Sequence, residues 1–131
     1  MVFTESEIAY LASQRLGRLA TAQDDGVLQV SPMGFSYNPT LATIDMSGFN
    51  LVKSQKFRNI ARSGRAAFVV DDLVSVEPWR VRCLEIRGVA EAIADADAPM
   101  IRLRPRRIIA FGIDEPDIEA HRLTVHARDV N

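Results

Sequence analysis

The sequence lacks most of the features that mark disulfide-rich, membrane and nucleic-acid-binding proteins. Among its 131 residues Cys83 is the single cysteine, which excludes an intramolecular disulfide framework and fits the reducing cytoplasm. The net charge is −1, so the surface as a whole does not attract a polyanion, and we expect no nucleic-acid partner. No apolar run approaches the roughly 18 residues of a membrane-spanning helix, so we expect no membrane partner.

Common catalytic and metal-binding motifs are also missing. The sequence contains no phosphate-binding loop, no Gly-x-Gly-x-x-Gly fingerprint and no Gly-x-Ser-x-Gly nucleophile elbow. The two histidines, His121 and His126, have no cysteine or carboxylate at a repeating ligand spacing, so we predict no metal site. Cys83 lies within an apolar strand pattern, which predicts a buried small hydrophobic residue rather than a nucleophile.

What the sequence contains is a succession of short strand patterns around two helices. Thr4 and Glu7 have the spacing of a capping box, which predicts an N-terminal helix over residues 4–15. Apolar runs separated by turn signals predict strands at residues 18–22, 27–30, 35–37, 41–46, 66–70, 81–93, 101–113 and 123–126. So many strands in one small domain, residues 1–131, predict a mainly β fold with a closed or nearly closed antiparallel barrel.

Two segments within these strands predict an irregular backbone. The segment Ser31-Pro32-Met33-Gly34 follows the second strand, and because proline has no N–H for the ladder, we expect it to interrupt the pairing. Gly88 lies near the middle of the long strand at 81–93, where a glycine often marks a β-bulge or the close approach of another group.

The second helix, expected over residues 47–62, carries two lysines on or beside its apolar side. With about 100° per residue, Lys53 falls between Phe57 and Ile60, and Lys56 falls about 40° from Ile60. Both lysines belong to the first turns, where free N–H groups and the helix dipole favour an anion. Two interpretations remain open: a phosphate held under the start of the helix, or lysine side chains that extend past the core to water.

A second group of basic residues lies on the strand at 101–113. Arg102, Arg104 and Arg106 alternate with apolar residues, so on an extended backbone they share one face. This face is a solvated surface, a set of ion pairs across an oligomer interface, or a clamp for a ligand that carries carboxylates or phosphate. No aromatic residues interleave with these arginines to stack bases, which argues against RNA binding.

The order of these features resembles the pyridoxamine-phosphate-oxidase-like split β-barrel family of flavin and deazaflavin proteins. The similarity covers about residues 5–113 and is greatest to the small actinobacterial deazaflavin-dependent reductases. It rests on motifs that are weak one by one but specific in their order: Leu16-Gly17-Arg18-Leu19-Ala20-Thr21, Val30-Ser31-Pro32-Met33-Gly34-Phe35, Lys53-x-x-Lys56-x-x-Asn59, Gly64-Arg65-Ala66-Ala67, Glu77-Pro78-Trp79, Ile86-Arg87-Gly88-Val89-Ala90-Glu91 and Ile101-Arg102-Leu103-Arg104-Pro105-Arg106-Arg107-Ile108.

The resemblance implies an antiparallel split β-barrel that forms a homodimer. In this family a flavin-type cofactor lies in a groove at the dimer interface, and the start of the short helix holds its phosphate. The resemblance therefore assigns Lys53, Ser54 and Lys56 to the phosphate. It also matches Ser31, Pro32 and Met33 to the stretch whose backbone runs along the ring system of the cofactor.

One departure from the family pattern narrows the cofactor. Pyridoxamine phosphate oxidases carry an Arg-x-Val-Leu-Leu-Lys strand, and alignment on Gly26 puts Ser31 and Ser36 at its two basic positions. Loss of both cations removes charge-assisted bonds to the phosphate, so a vitamin-B6 oxidase is not expected. Coenzyme F420, a deazaflavin with a phosphodiester and several carboxylates, would give the face of Arg102, Arg104 and Arg106 a partner.

The resemblance thus implies an oxidoreductase that passes hydride from reduced coenzyme F420 to an unsaturated small organic molecule. The cofactor carries such chemistry, and the protein positions it, so no catalytic residue is assigned. Two alternatives stay open: an FMN-dependent oxidoreductase of the same fold, and a non-catalytic carrier or sensor that binds a flavin or deazaflavin.

Overall fold

The computed structural model describes residues 1–95, 97–115 and 117–131, which form a mainly β structure with helices α1 (Glu5–Ser13) and α2 (Gln55–Ser63). Short 3-10 turns, Leu51–Lys53 and Ala120–Arg122, lie before α2 and near the C-terminus. The strands in chain order are β1 (Leu16–Ala22), β2 (Leu28–Gly34), β3 (Ser36–Asn38), β4 (Thr43–Met46), β5 (Arg65–Ser75), β6 (Arg80–Ile93), β7 (Met100–Phe111) and β8 (His126–Asp129). Neither α-helix in the described ranges has the length and apolar character needed to cross a membrane.

The strands form one antiparallel sheet that curls until its two ends meet. Their order is β2-β1-β5-β6-β7-β4-β3. The first part of β7, residues 101–103, pairs with β4, and its later part, residues 107–110, pairs with β8. The strands at the two ends, β2 and β3, are separated along the chain by Phe35 alone. Because Cα atoms on either side of one residue lie within about 7 Å, the sheet must close on itself. This curled sheet confirms the barrel that the sequence predicted.

Side chains on the inner face of the sheet form the core, and α1 closes one end of it. The largest of the core side chains on the strands are almost fully buried: Leu19, Ile44, Met46, Phe68, Leu84, Ile86, Ile101 and Leu103. On α1, the buried carboxylate of Glu7 accepts hydrogen bonds of 2.6 and 2.9 Å from Arg128 on β8. The predicted capping box is present, since Thr4 and Glu7 exchange bonds of 2.9 and 3.1 Å, although the helix ends at Ser13 rather than at residue 15.

The predicted interruption after the second strand is wrong. β2 continues through Gly34, and Pro32 lies opposite Arg18 in an unbroken register with β1. β2 is an end strand of the sheet, where a proline whose nitrogen faces outward removes no ladder bond. The predicted full burial of the strand at 66–70 also needs correction. On β5, Phe68 and Val70 are buried, but Ala66, Ala67 and Val69 are only half-buried.

Gly88 marks both a bulge and a close approach, as the sequence predicted. The register between β6 and β7 shifts after Arg87, so that Arg106 is the additional residue on β7. A Cβ at position 88 would overlap the backbone carbonyl of Arg104 on the neighbouring strand. The bulge also changes which side chains face inward on β7: Leu103 and Pro105 are buried before it, and Ile108 and Ala110 after it.

Cys83 is half-buried on β6, which corrects the prediction of full burial. Desolvation, followed by the neighbouring charges of Asp71 and Glu85, raises the pKa of its thiol to about 11. The thiol is therefore protonated near neutral pH, in agreement with the prediction that it is not a nucleophile.

We expect Gly88→Ala to lower the free energy of unfolding by about 1–3 kcal/mol, because the added methyl group forces β6 away from β7. Urea unfolding measures the change. The matched control, Val89→Ala, truncates an outward-facing neighbour and should change stability by less than about 0.5 kcal/mol. Equal stability of Gly88→Ala and the parent protein would contradict the close approach.

We expect Cys83 to react slowly with a disulfide reagent at pH 8 and its rate to rise about tenfold per pH unit up to pH 10. The reaction rate of an ordinary thiol stops rising with pH near the thiol pKa of about 8.5, whereas a pKa of about 11 moves that plateau to higher pH. Absorbance of the released thiolate gives the rate. Asp71→Asn removes a charge that raises the pKa, so its rate at pH 8 should exceed the parent rate; a rate profile with a plateau near pH 8.5 would refute the assignment.

Candidate cofactor-binding site

The segment from β4 to α2 is not one continuous helix, which corrects the prediction over residues 47–62. A 3-10 turn at Leu51–Lys53 comes first, and Ser54 then has an extended backbone and caps α2. The Ser54 hydroxyl accepts a 3.3 Å bond from the Phe57 N–H and donates a 2.6 Å bond to the Leu51 carbonyl. A serine at this position satisfies a free N–H of the first turn, which favours a new helix start over a continuous helix. Lys53 therefore lies outside α2, and the Ser54 hydroxyl is already engaged within the chain.

Lys53 and Lys56 are the only lysines in the sequence, and both lie at the start of α2. Lys53 is exposed and Lys56, the second residue of the helix, is half-buried, while Phe57 and Ile60 face the core as predicted. Neither lysine forms an ion pair with a described residue. Both ammonium groups are therefore available to an anion beside the positive end of the helix dipole.

α2 packs mainly against β1 and β6. The Asn59 side chain donates a buried 3.0 Å hydrogen bond to Thr21, which pairs with Gln29 across the β1–β2 ladder. At the other end of the same face, Met33 packs beside Gly48, where a Cβ would lie 3.7 Å from the methionine methyl group. Through Thr21, the middle of α2 thus lies one strand away from Gln29, and the segment that precedes the helix reaches Met33.

Two oxygens on this inner face of β2 are buried without a hydrogen-bond partner. They are Oε1 of Gln29 and Oγ of Ser31, which lie two residues apart and so on the same side of the strand. Buried polar side-chain atoms in folded proteins nearly always have a partner. A polar ligand on the inner face of β2 would supply the partner that the described residues do not.

The predicted trio Ser31, Pro32 and Met33 is divided between the two faces of β2. Ser31 and Met33 face inward, and Met33 belongs to the core, whereas Pro32 is exposed on the outer face. β2 pairs with β1 along one edge, and its other edge pairs with no strand in the described ranges. Backbone amides and carbonyls on that edge are available to a ligand, although the strand is not interrupted as predicted.

Arg102 and Arg104 form ion pairs within the chain, an arrangement that the sequence analysis did not consider. Nε and Nη2 of Arg102 each lie 3.0 Å from a carboxylate oxygen of Asp45, and Arg104 lies 2.8 Å from Glu91. Burial raises the pKa of Asp45, but hydrogen bonds from Arg102 and two further side chains outweigh it and hold that pKa below its ordinary value. These arginines remain predicted ligands of the cofactor tail, but a ligand would have to share them with carboxylates.

A basic groove on the outer face of the sheet was not predicted. It has a volume of about 750 Å³, and we call it the outer groove. We call its floor the outward-facing alanines of β1 and β5 and its rim the four arginines of its lining: Ala20, Ala22 and Ala67 on the floor, and Arg62, Arg65, Arg87 and Arg106 on the rim. The motifs around Gly64 and Gly88 contain several of these residues, but only the pairing of β5 with β6 brings the two motifs together.

The site can bind and orient a ligand, but it offers little for acid–base or nucleophilic chemistry. The Cys83 thiol is protonated, and the Tyr10 hydroxyl donates a 2.9 Å hydrogen bond to Asp72 on the side of the barrel covered by α1. Burial, reinforced by Asp72, raises the pKa of Tyr10 above its ordinary value. Chemistry at this site therefore depends on a bound group.

Comparison with known proteins connects this geometry to a family. A family model described as pyridoxamine 5'-phosphate oxidase matches residues 3–129, a longer range than the motifs cover. A reductase of 5a,11a-dehydrotetracycline and 5a,11a-dehydrooxytetracycline from Streptomyces rimosus is 40% identical over an alignment of 138 positions, which covers 99% of this chain and 94% of that protein.

Solved structures agree with this relationship. A structure named F420 reductase superimposes with a TM-score of 0.63 at 26% identity, over 79% of this chain and 95% of that chain. An FAD-binding protein from Mycobacterium smegmatis shares the fold with a TM-score of 0.61 at 22% identity, over 84% and 95% of the two chains. The family match over nearly the whole length and the relative at 40% identity establish that this chain belongs to the pyridoxamine 5'-phosphate oxidase family, as the order of its motifs predicted.

Proposed function

We propose that this protein is a reductase that passes hydride from reduced coenzyme F420 to an unsaturated small organic molecule. The observation that carries the proposal is the pair of buried, unpartnered oxygens on β2, at Gln29 and Ser31. The two lysines at the start of α2 supply positive charge for a phosphate. The full-length relationship to a dehydrotetracycline reductase supports the reaction type. The similarity to a structure named F420 reductase supports the deazaflavin coenzyme.

The residues at the start of α2 fit a coenzyme that carries a phosphate group. Lys53 and Lys56 supply positive charge, while the Ser31 hydroxyl and the Gln29 amide supply buried hydrogen-bonding groups. Ser54 contributes indirectly, because its capping bond sets the direction in which the first free N–H groups of α2 point. The unpaired edge of β2 offers backbone groups to the rim of a ring system.

When bound, reduced F420 supplies a hydride donor, and the chain holds that donor in place. The lysines at α2 fix the phosphate end, and the edge of β2 orients the ring. Leu28 and Val30 on the outer face of β2, which are 81% and 69% exposed in the single chain, cover apolar ligand surface and exclude water from it. No side chain needs to transfer a proton in the hydride step itself.

FMN is the second candidate cofactor, because a phosphate site at a helix start accepts a monoester as well as a diester. Serine at positions 31 and 36 favours F420, since the FMN-dependent oxidases of the resemblance place basic residues there. Protein that is yellow on purification and shows flavin absorption would favour FMN. Tight binding of reduced F420 without its oxidation by any enone or quinone would instead indicate a carrier or sensor.

We expect Lys56→Ala to raise the Kd for F420 at least tenfold, about 1.4 kcal/mol, because it removes a half-buried cation at the helix start. Arg104→Ala should have a smaller effect, below about threefold, because Glu91 already neutralises that guanidinium. Isothermal titration with F420 and with FMN gives both affinities. Arg122→Ala, on an exposed 3-10 turn, is the control, and an unchanged Kd in Lys56→Ala would sink the proposed phosphate site.

We further propose that the chain is a single domain that assembles as a homodimer, as the resemblance implies. The β5–β6 hairpin supports this proposal, because four large apolar residues at or near its tip are exposed: Leu73, Val74, Val76 and Trp79. Trp79 is 53% exposed, and large exposed aromatic residues are enriched at protein–protein interfaces. A second copy of the chain would cover this tip.

We expect the double variant Val76→Glu/Trp79→Glu to be a monomer in size-exclusion chromatography with light scattering, whereas the parent protein elutes as a dimer. The free energy needed to bury two carboxylates in an apolar contact exceeds the free energy that the contact contributes to the dimer. Val125→Glu changes an exposed valine outside the hairpin and should leave the dimer intact. A monomeric parent protein would refute the homodimer, and a dimeric double variant would exclude the hairpin as its contact.

A further inference from the structure

The outer groove is separate from the anion site at the start of α2. The groove lies at the other end of the helix, where Arg62 and Ser63 line it, and opens on the outer face of the sheet. Lys56 precedes Ser63 by seven residues, which correspond to roughly 10 Å of α-helix. A ligand seated in the groove is therefore distinct from a phosphate held by the lysines.

The charge of the groove is strongly positive although the net charge of the chain is −1. Four arginines line the groove, against Asp24 as the one acidic residue of its lining. Arg65 and Arg106 have no acidic partner among the described residues, and Arg62 donates a 2.6 Å bond to the Ala22 carbonyl. Only Arg87 is paired, with Glu85 at 2.6 Å. Such a rim selects an anion.

The floor of the groove selects a flat apolar body. Ala20 and Ala67 are cross-strand neighbours on β1 and β5, and Ala67 in turn pairs with Arg87 on β6. Alanine side chains keep the β1 and β5 part of this face low, Arg87 projects beside them from β6, and Leu28 adds an exposed apolar wall. A volume of about 750 Å³ lies within the range of small-molecule sites, about 300–1,000 Å³.

We propose that the outer groove binds the molecule that accepts the hydride, and that this acceptor is a flat, polycyclic organic anion. The inference rests on the proposed function, which supplies the hydride donor along β2. Leu28 in the groove and Pro32 on the same outer face are four residues apart, roughly 13 Å along the strand. A molecule of several fused rings lying along β2 spans that distance and brings an unsaturated carbon to the bound ring.

The flexible acidic tail of the coenzyme is the competing occupant. A chain of carboxylates would use the guanidinium groups of the rim, but it would have no use for the flat apolar floor, and it would leave Leu28 exposed. The floor therefore favours a ring system over a tail. Competition between the two ligands separates these possibilities.

Fluorescence titration with 1-pyrenesulfonate, a flat aromatic anion, tests the proposal on the intact protein, and 1-pyrenemethylammonium is the cationic counterpart. We expect the anion to bind at least tenfold more tightly than the cation. The double variant Arg65→Gln/Arg106→Gln should raise the Kd of the anion at least tenfold, whereas the control Arg122→Gln should raise it less than twofold. NMR of the parent protein, which needs no variant, should show shifts of the Ala20, Ala67 and Gly88 amides on addition of the anion.

Three outcomes would overturn the proposal: equal affinity for anion and cation, an unchanged affinity in a folded double variant, or shifts confined to residues outside the groove. Displacement of 1-pyrenesulfonate by F420 would assign the groove to the coenzyme and overturn the acceptor site as well. Simultaneous binding of both ligands supports it. Failure of F420 to bind at all would refute the proposed function, while the pyrene titration would still report on the groove independently.

Discussion

The closure of the sheet through Phe35 is the constraint on which the other features depend. One residue connects strands that lie at opposite ends of the strand order, so the sheet has no freedom to remain flat. The ring of Phe35 packs edge-on against the ring of Phe68, with 5.3 Å between the two ring centroids. This contact connects the residue between β2 and β3 to the core of the barrel. Closure gives the sheet an inside that the apolar residues fill and an outside on which ligands and partners can be held.

β2 carries polar and apolar groups that closure of the sheet leaves unsatisfied. In an ordinary half-buried strand the apolar residues face the core, but here Leu28, Val30 and Pro32 face outward while Gln29 and Ser31 face inward. The inversion leaves two buried oxygens without partners and an apolar outer surface without cover, and both are costly unless something binds there. Both lysines lie at the start of α2, in a chain that otherwise uses arginine for its positive charge, which agrees with a compact anion at that helix start.

Much of this arrangement could be predicted from the sequence because it is encoded locally. The capping box at Thr4 depends on residues close in the chain, and the positive φ of 69° at Gly64 depends on the backbone freedom of glycine. Gly88 is the residue without a Cβ that the close approach of β7 requires, so a single residue type marked the bulge. Other predictions were wrong because the folded structure allowed an outcome different from the one that the local rule predicts. The proline at 32 did not interrupt β2 because the strand is at the end of the sheet, and Ser54 started a new helix because its hydroxyl caps the first turn.

The sequence by itself determined the class of fold, the family and the position of two lysines at a helix start. Periodicity and capping involve residues near one another in the sequence, and the order of the motifs can be seen without the fold. Only the tertiary structure decided which charges are already engaged and which are available. Arg102 and Arg104 find Asp45 and Glu91 across strand pairs, whereas the arginines of the outer groove come together from α2, β5, β6 and β7. The physical reason is that an ion pair or a groove depends on distances between residues far apart in the chain, and those distances exist only after the sheet has closed.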